Sequence, residues 1–124
     1  MTADSESAAG GATVDWKALE IYTGGDDSIA VEIYQQFVES TLTDGAALVT
    51  AVTSGSKESA VHFSHRIKGA SRMTGCNALA DIAERMEHAG RDGQWEEVTD
   101  AMPELQSRLD ATIAELQAFL AKAA

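Results

Sequence analysis

With 124 residues, 44% of them hydrophobic, and a single proline, the chain has the size and composition of one domain with a modest core. Its lone cysteine, Cys76, excludes an internal disulfide and any site built from cysteine pairs, and points to a reducing compartment. A formal charge of −11 argues against nucleic-acid binding. No stretch approaches the roughly 18 apolar residues of a membrane span, and the N-terminus lacks the order of a signal peptide, so a soluble, cytoplasmic protein without membrane contact is expected.

Residues 1–12 are Ala, Gly, Ser and acid without apolar period, and read as a disordered leader or linker ahead of a helical domain over 13–124. Thr13 is placed to cap a short helix carrying Val14, Trp16, Leu19 and Tyr22, ended by Gly24 and Gly25. Asp26, Asp27 and Ser28 then offer caps for a long helix to about Thr53, with Ile33, Tyr34, Phe37, Val38, Leu42, Leu48, Val49 and Val52 on its apolar stripe. Ser54-Gly55-Ser56 breaks it. A third helix spans Lys57 to about Thr74 and stops at Gly75. A fourth carries Leu79, Ile82, Ala83 and Met86 and ends near Gly90 to Gly93. The last follows the seam Trp95, Val98, Met102, Leu105, Leu109, Ile113 or Thr112, Leu116 and Leu120 or Phe119, with a kink or short break expected near Ala101 because of Pro103. Strand alternation is absent throughout. The predicted fold is all-α: an antiparallel four-helix bundle with a short N-terminal helix packed across it.

Charge is unevenly spread. Between Lys57 and Arg72 four basic residues (Lys57, Arg66, Lys68, Arg72) face one acid, Glu58, so this stretch is +3 and the remainder −14. At 100° per residue, Ala60, Phe63, Ile67, Ala70 and Thr74 of the third helix lie within about 40° of the direction opposite His65, and are assigned to the core. His65 then points to water, with Val61, Lys68, Gly69 and Arg72 within about 60° of it. Helical side chains lean toward the N-terminus, so residues one turn later overhang the imidazole. Gly69 leaves that space clear, at a helix cost of about 1 kcal/mol relative to alanine, and Lys68 is placed to reach a negatively charged group attached to the ring. Other readings carry less. His62, His65 and Glu58 do not converge as metal ligands, and the chain lacks a Glu-x-x-His pair. His88, beside Glu84 and Glu87, reads as a solvated surface residue, and Trp16 and Trp95 as core.

His65-Arg66-Ile67-Lys68-Gly69, followed by Gly75 and the helix bearing Leu79, resembles the signature of the histidine-containing phosphotransfer (HPt) family, of the kind appended to bacterial hybrid sensor kinases. His65, Lys68, Gly69, Gly75 and Leu79 match that pattern position by position. The resemblance implies a monomeric phosphocarrier in two-component phosphorelays, with His65 accepting a phosphoryl group from the aspartate of one response-regulator receiver domain and passing it to another. It also implies that Lys68 supports the phosphoryl group while Gly69 keeps the approach open. Val61, Arg66 and Arg72 are the residues expected to meet the partner. No nucleotide-binding loop or kinase signature is present, so self-phosphorylation from ATP is not expected. No bound cofactor is expected either, the Mg²⁺ being the receiver's. The competing reading is a non-catalytic helical interaction or scaffold module in which His65 is incidental.

Overall fold

The computed structural model describes residues 14–123, so the expected leader and the Thr13 cap lie outside the described residues. Helix boundaries follow local chemistry. A turn over residues 16–19 leads into α1 (Glu20–Thr23), shorter than the helix expected from Val14 onward. The side chain of Asp26 accepts from the backbone N–H of Ser28 at 2.9 Å and of Ile29 at 3.4 Å, starting α2 (Asp27–Thr53). Ser56 likewise accepts from Ser59 N–H at 3.4 Å to start α3 (Lys57–Met73). Then follow α4 (Asn77–Arg91) and α5 (Trp95–Ala123).

Links of three residues join α2 to α3, α3 to α4 and α4 to α5, which forces antiparallel neighbours. Each long helix packs on the one before it, and α5 closes the circuit against α2. The domain is therefore an all-helical, antiparallel four-helix bundle, with no strand among the described residues. The N-terminal segment crosses one end. Val14 N–H donates to the Glu115 carboxylate at 3.1 Å and Asp15 N–H to the Gly75 carbonyl at 2.8 Å, while Val14 and Leu19 are buried.

The core keeps the expected elements and shifts some of their faces. On α2 the buried residues Tyr34, Phe37, Thr41, Asp44, Leu48 and Ala51 alternate three and four apart, a coiled-coil spacing. Leu42 and Val49, each one position past that seam, are exposed rather than buried. On α3, Ser64 and Ser71 are buried, while Phe63 and Ala70 are only half-buried. The buried arc is thus rotated by roughly 45° from the apolar one, because small side chains suit close helix contact. A Cβ on Gly90 of α4 would stand 2.7 Å from Val61 Cγ2. Trp16 is 40% exposed, meeting Tyr34 edge to face and Phe119 at a tilt, with ring distances of 5.3 and 4.8 Å, instead of entering the core, and Trp95 is half-buried. Helix α5 runs unbroken through Pro103, correcting the expected break. The carbonyl that loses its partner there belongs to Thr99, an exposed residue, so water can serve it.

Gly75 closes α3 at φ 80°, and a Cβ on it would stand 2.2 Å from the Asp15 carbonyl oxygen. Strain and clash therefore coincide at one atom. Gly75→Ala is expected to lower unfolding free energy by about 2 kcal/mol or more, measured by urea denaturation; an unchanged midpoint would show that the N-terminal crossing contributes nothing.

Candidate functional site

The rotation of the α3 core places His65 beside α4. Along α3, Val61, His65, Lys68 and Arg72 recur at four, three and four residues, and each meets an α4 residue in antiparallel register. Val61 lies against Gly90, His65 and Lys68 reach Glu87, and Arg72 reaches Glu84 and Asp81. The face assigned to solvent is the edge of the α3–α4 seam. His65 itself remains 60% exposed.

Glu87 organises the site. Its side chain is only 4% exposed and receives three basic groups: Lys68 Nζ lies 2.8 Å from Oε1, Arg91 donates to Oε2 from Nε at 3.1 Å and Nη2 at 2.6 Å, and His65 Nδ1 lies 3.0 Å from the same Oε2. Burial pushes this carboxyl up, and the hydrogen bonds from Lys68, Arg91 and His65 overcome burial to hold it at about 2. It is therefore ionised at neutral pH and can only accept, so the Nδ1 facing it carries the proton. In the neutral ring the lone pair is then on Nε2, the nitrogen that does not face Glu87. A Cβ on Gly69 would find nothing within 4 Å, so the space overhanging the ring is open.

The basic residues expected beside His65 are not open cations. Lys68 is half-buried on Glu87, Arg72 is bound by Asp81 at 3.1 Å and by Glu84, and Arg66 donates from Nε to the buried Asp44 of α2 at 3.1 Å. Acids contributed by α2 and α4 pair with Arg66, Lys68 and Arg72 of the basic run. Among the described residues near the ring, the arginine side chains more than half exposed are Arg66 and Arg91, at 51% and 56%. Val61 is half-buried against α4. His62 and His88 are exposed, and no three potential metal ligands gather among the described residues.

Glu87 and Arg91 escaped the sequence reading as site residues. One signal was present: Glu87 falls in phase with Ala80, Ala83 and Gly90, so the helical period puts a carboxylate on the buried arc of α4, where it requires partners.

The described residues thus form a helical bundle with one exposed imidazole paired to a buried carboxylate and a lysine beside it. A family model described as the Hpt domain matches residues 32–119, and the chain belongs to that family. Two solved structures share the fold. Histidine-containing phosphotransfer protein B from Pseudomonas aeruginosa PAO1 aligns with a TM-score of 0.80 at 16% identity, over 88% of this chain and 95% of that one. The HPT domain of a sensor hybrid histidine kinase from Shewanella aligns with a TM-score of 0.78 at 16% identity, over 88% and 94%. Comparison with curated proteins returned no significant match.

Because Glu87 titrates lower in the folded protein than the ordinary 4.5, its stabilising charge is fully present above about pH 4.5 and lost as pH falls through about 2. Between pH 5 and pH 2 the wild type is expected to lose up to roughly 3 kcal/mol more stability than Glu87→Gln. Denaturant melts across that range check it; parallel pH profiles would remove Glu87 from the account.

Proposed function

We propose that this domain is a carrier in a multistep phosphorelay, accepting a phosphoryl group on Nε2 of His65 from the aspartyl phosphate of one receiver domain and delivering it to the aspartate of another. The observation that carries the reading is the pairing of Nδ1 with the buried carboxylate of Glu87 on a side chain that is 60% exposed, an arrangement that puts the lone pair of the neutral imidazole on Nε2. A scaffold module has no use for an imidazole oriented in this way. Membership of the Hpt family supports histidine phosphotransfer, and Hpt domains work with receiver domains and hybrid kinases.

In the proposed reaction the Nε2 lone pair attacks phosphorus in line with the departing aspartate oxygen. The acyl-phosphate P–O bond breaks and the carboxylate leaves with the electron pair. The partner receiver brings its acidic pocket and Mg²⁺, so this chain supplies position and charge. Lys68 stands next to the ring and shares its ammonium between Glu87 and the incoming phosphoryl oxygens. Arg66, braced by Asp44, presents its outer nitrogens on the α2 side of His65, where an acidic receiver rim would meet it. Arg72, bound by two carboxylates, and Val61, packed on α4, contribute to docking less directly.

Incubation with phosphorylated receivers is expected to label wild type at an acid-labile, base-stable position. His65→Gln abolishes labelling with helicity intact, whereas His62→Gln and His88→Gln leave it unchanged. Label persisting on the His65 variant would overturn the assignment, and no label from a broad receiver panel would favour the scaffold.

Gly69 provides a separate test. Gly69→Leu fills the approach to Nε2 and is expected to slow transfer about tenfold or more, with Gly69→Ala intermediate. Thermal melts of both should match wild type or gain up to about 1 kcal/mol, since a helical glycine facing open solvent is replaced. Transfer at the wild-type rate by Gly69→Leu would refute the access argument.

A further inference from the structure

We propose that Glu87 keeps the proton on Nδ1 after His65 is phosphorylated, so that the domain holds its phosphoryl group as a phosphoimidazolium, the form whose N–P bond is primed to break. The inference rests on the phosphocarrier reading above and concerns what happens to the ring once it is loaded. When the Nε2 lone pair forms the N–P bond, the ring still bears its Nδ1 proton and becomes cationic. In water that proton can be lost, giving a neutral phosphoimidazole with a lone pair at Nδ1. Here that lone pair would face Glu87 Oε2 across 3.0 Å, two acceptors opposed beside a carboxylate with 4% of its surface exposed. Glu87 is a poor source of a compensating proton, because Lys68 and Arg91 already hold it ionised.

The surrounding charges act as follows. From α4, Glu87 favours the ring cation and Arg91, bound to the same oxygen, opposes it. From α3, Lys68 opposes it, and His62 lies exposed one turn earlier. From α2, Asp44 is taken up by Arg66. The bound phosphoryl, at about −1.5 to −2, favours the cation. Only Glu87 touches Nδ1 directly among the described residues, so the proton's fate follows that contact.

The consequence is a shuttle in which no proton has to move. Outward transfer breaks the N–P bond with its electron pair returning to Nε2, and the departing group is a neutral imidazole already protonated at Nδ1. A deprotonated ring would have to leave as an anion, a far poorer leaving group. Glu87 is thus a positioning residue for both directions of transfer, acting through the ring and not on phosphorus.

Glu87→Gln separates this role from mere support. The amide keeps the side chain's size, yet its oxygen can accept from a protonated Nδ1 and its NH₂ can donate to a deprotonated one, so the preference is erased. Uniformly ¹⁵N-labelled protein would be phosphorylated with phosphoramidate, attachment to His65 checked by ³¹P resonance, and loss of the Nδ1 proton followed by ¹⁵N shift against pH. The midpoint is expected at least one pH unit lower in Glu87→Gln than in wild type. Across about pH 6 to 8, transfer from the loaded variant to a receiver should decline with rising pH while wild type stays flat. Glu87→Asp, which withdraws the acceptor from the ring, gives the same comparison should the glutamine variant fail to fold. Equal midpoints would overturn the proposal and leave the carrier reading standing. Absence of phosphate on His65 would overturn the carrier reading and the proposal together.

Discussion

A carboxylate buried between two helices has to find positive partners, and in this protein the demands of Glu87 shape everything around the reactive ring. Left alone at 4% exposure, its charge would cost several kcal/mol. It is met by Lys68 from α3, Arg91 one turn along α4, and the Nδ1 proton of His65. Those contacts fix the axial register of α3 on α4, orient the imidazole and determine which of its nitrogens is free. On the proposed function, a stability requirement thus also prepares the nucleophile, and the same atoms serve fold and chemistry.

The bundle supplies the conditions that make this arrangement possible. Gly90 lets α4 approach Val61, and buried Ser64 and Ser71 keep the α3 seam shallow enough for Glu87 to reach His65 while the ring remains open to solvent. Positive charge is deployed in the same restrained manner. Arg66 and Arg91 are each braced by a buried acid, from α2 and α4, and stand on either side of His65 with their outer surfaces exposed. A guanidinium held by a neighbouring helix loses little rotamer freedom when a partner arrives, which favours a defined docking geometry over diffuse attraction.

Much of this was legible in the sequence, and the exceptions have a common cause. Helices α2 to α5 announce themselves through Asp26 as a cap, the Ser54-Gly55-Ser56 break, the glycines between elements, and apolar residues at helical spacing. His65, Lys68 and Gly69 stand out because the period turns them from the core and a glycine there needs a reason. What a single helix cannot show is the partner it will lie against. Leu42 and Val49 look like core by type but fall one position off the α2 seam, whereas Ser64 and Ser71 look like surface and are buried. The basic run from Lys57 to Arg72 looks like an open cationic island until α2 and α4 bring Asp44, Glu84 and Glu87 against it. Glu87 lies 22 residues from His65, and their contact is set by helix register, which local periodicity does not encode.

A buried carboxylate that holds Nδ1 commits Nε2 to the chemistry. The decisive measurement is which ring nitrogen of wild-type protein carries phosphorus after transfer from a receiver, read from ¹⁵N–³¹P coupling in the loaded domain. Coupling to Nε2 of His65 with a proton still on Nδ1 is expected; phosphorus on Nδ1, or on any other residue, would rule this role of Glu87 out.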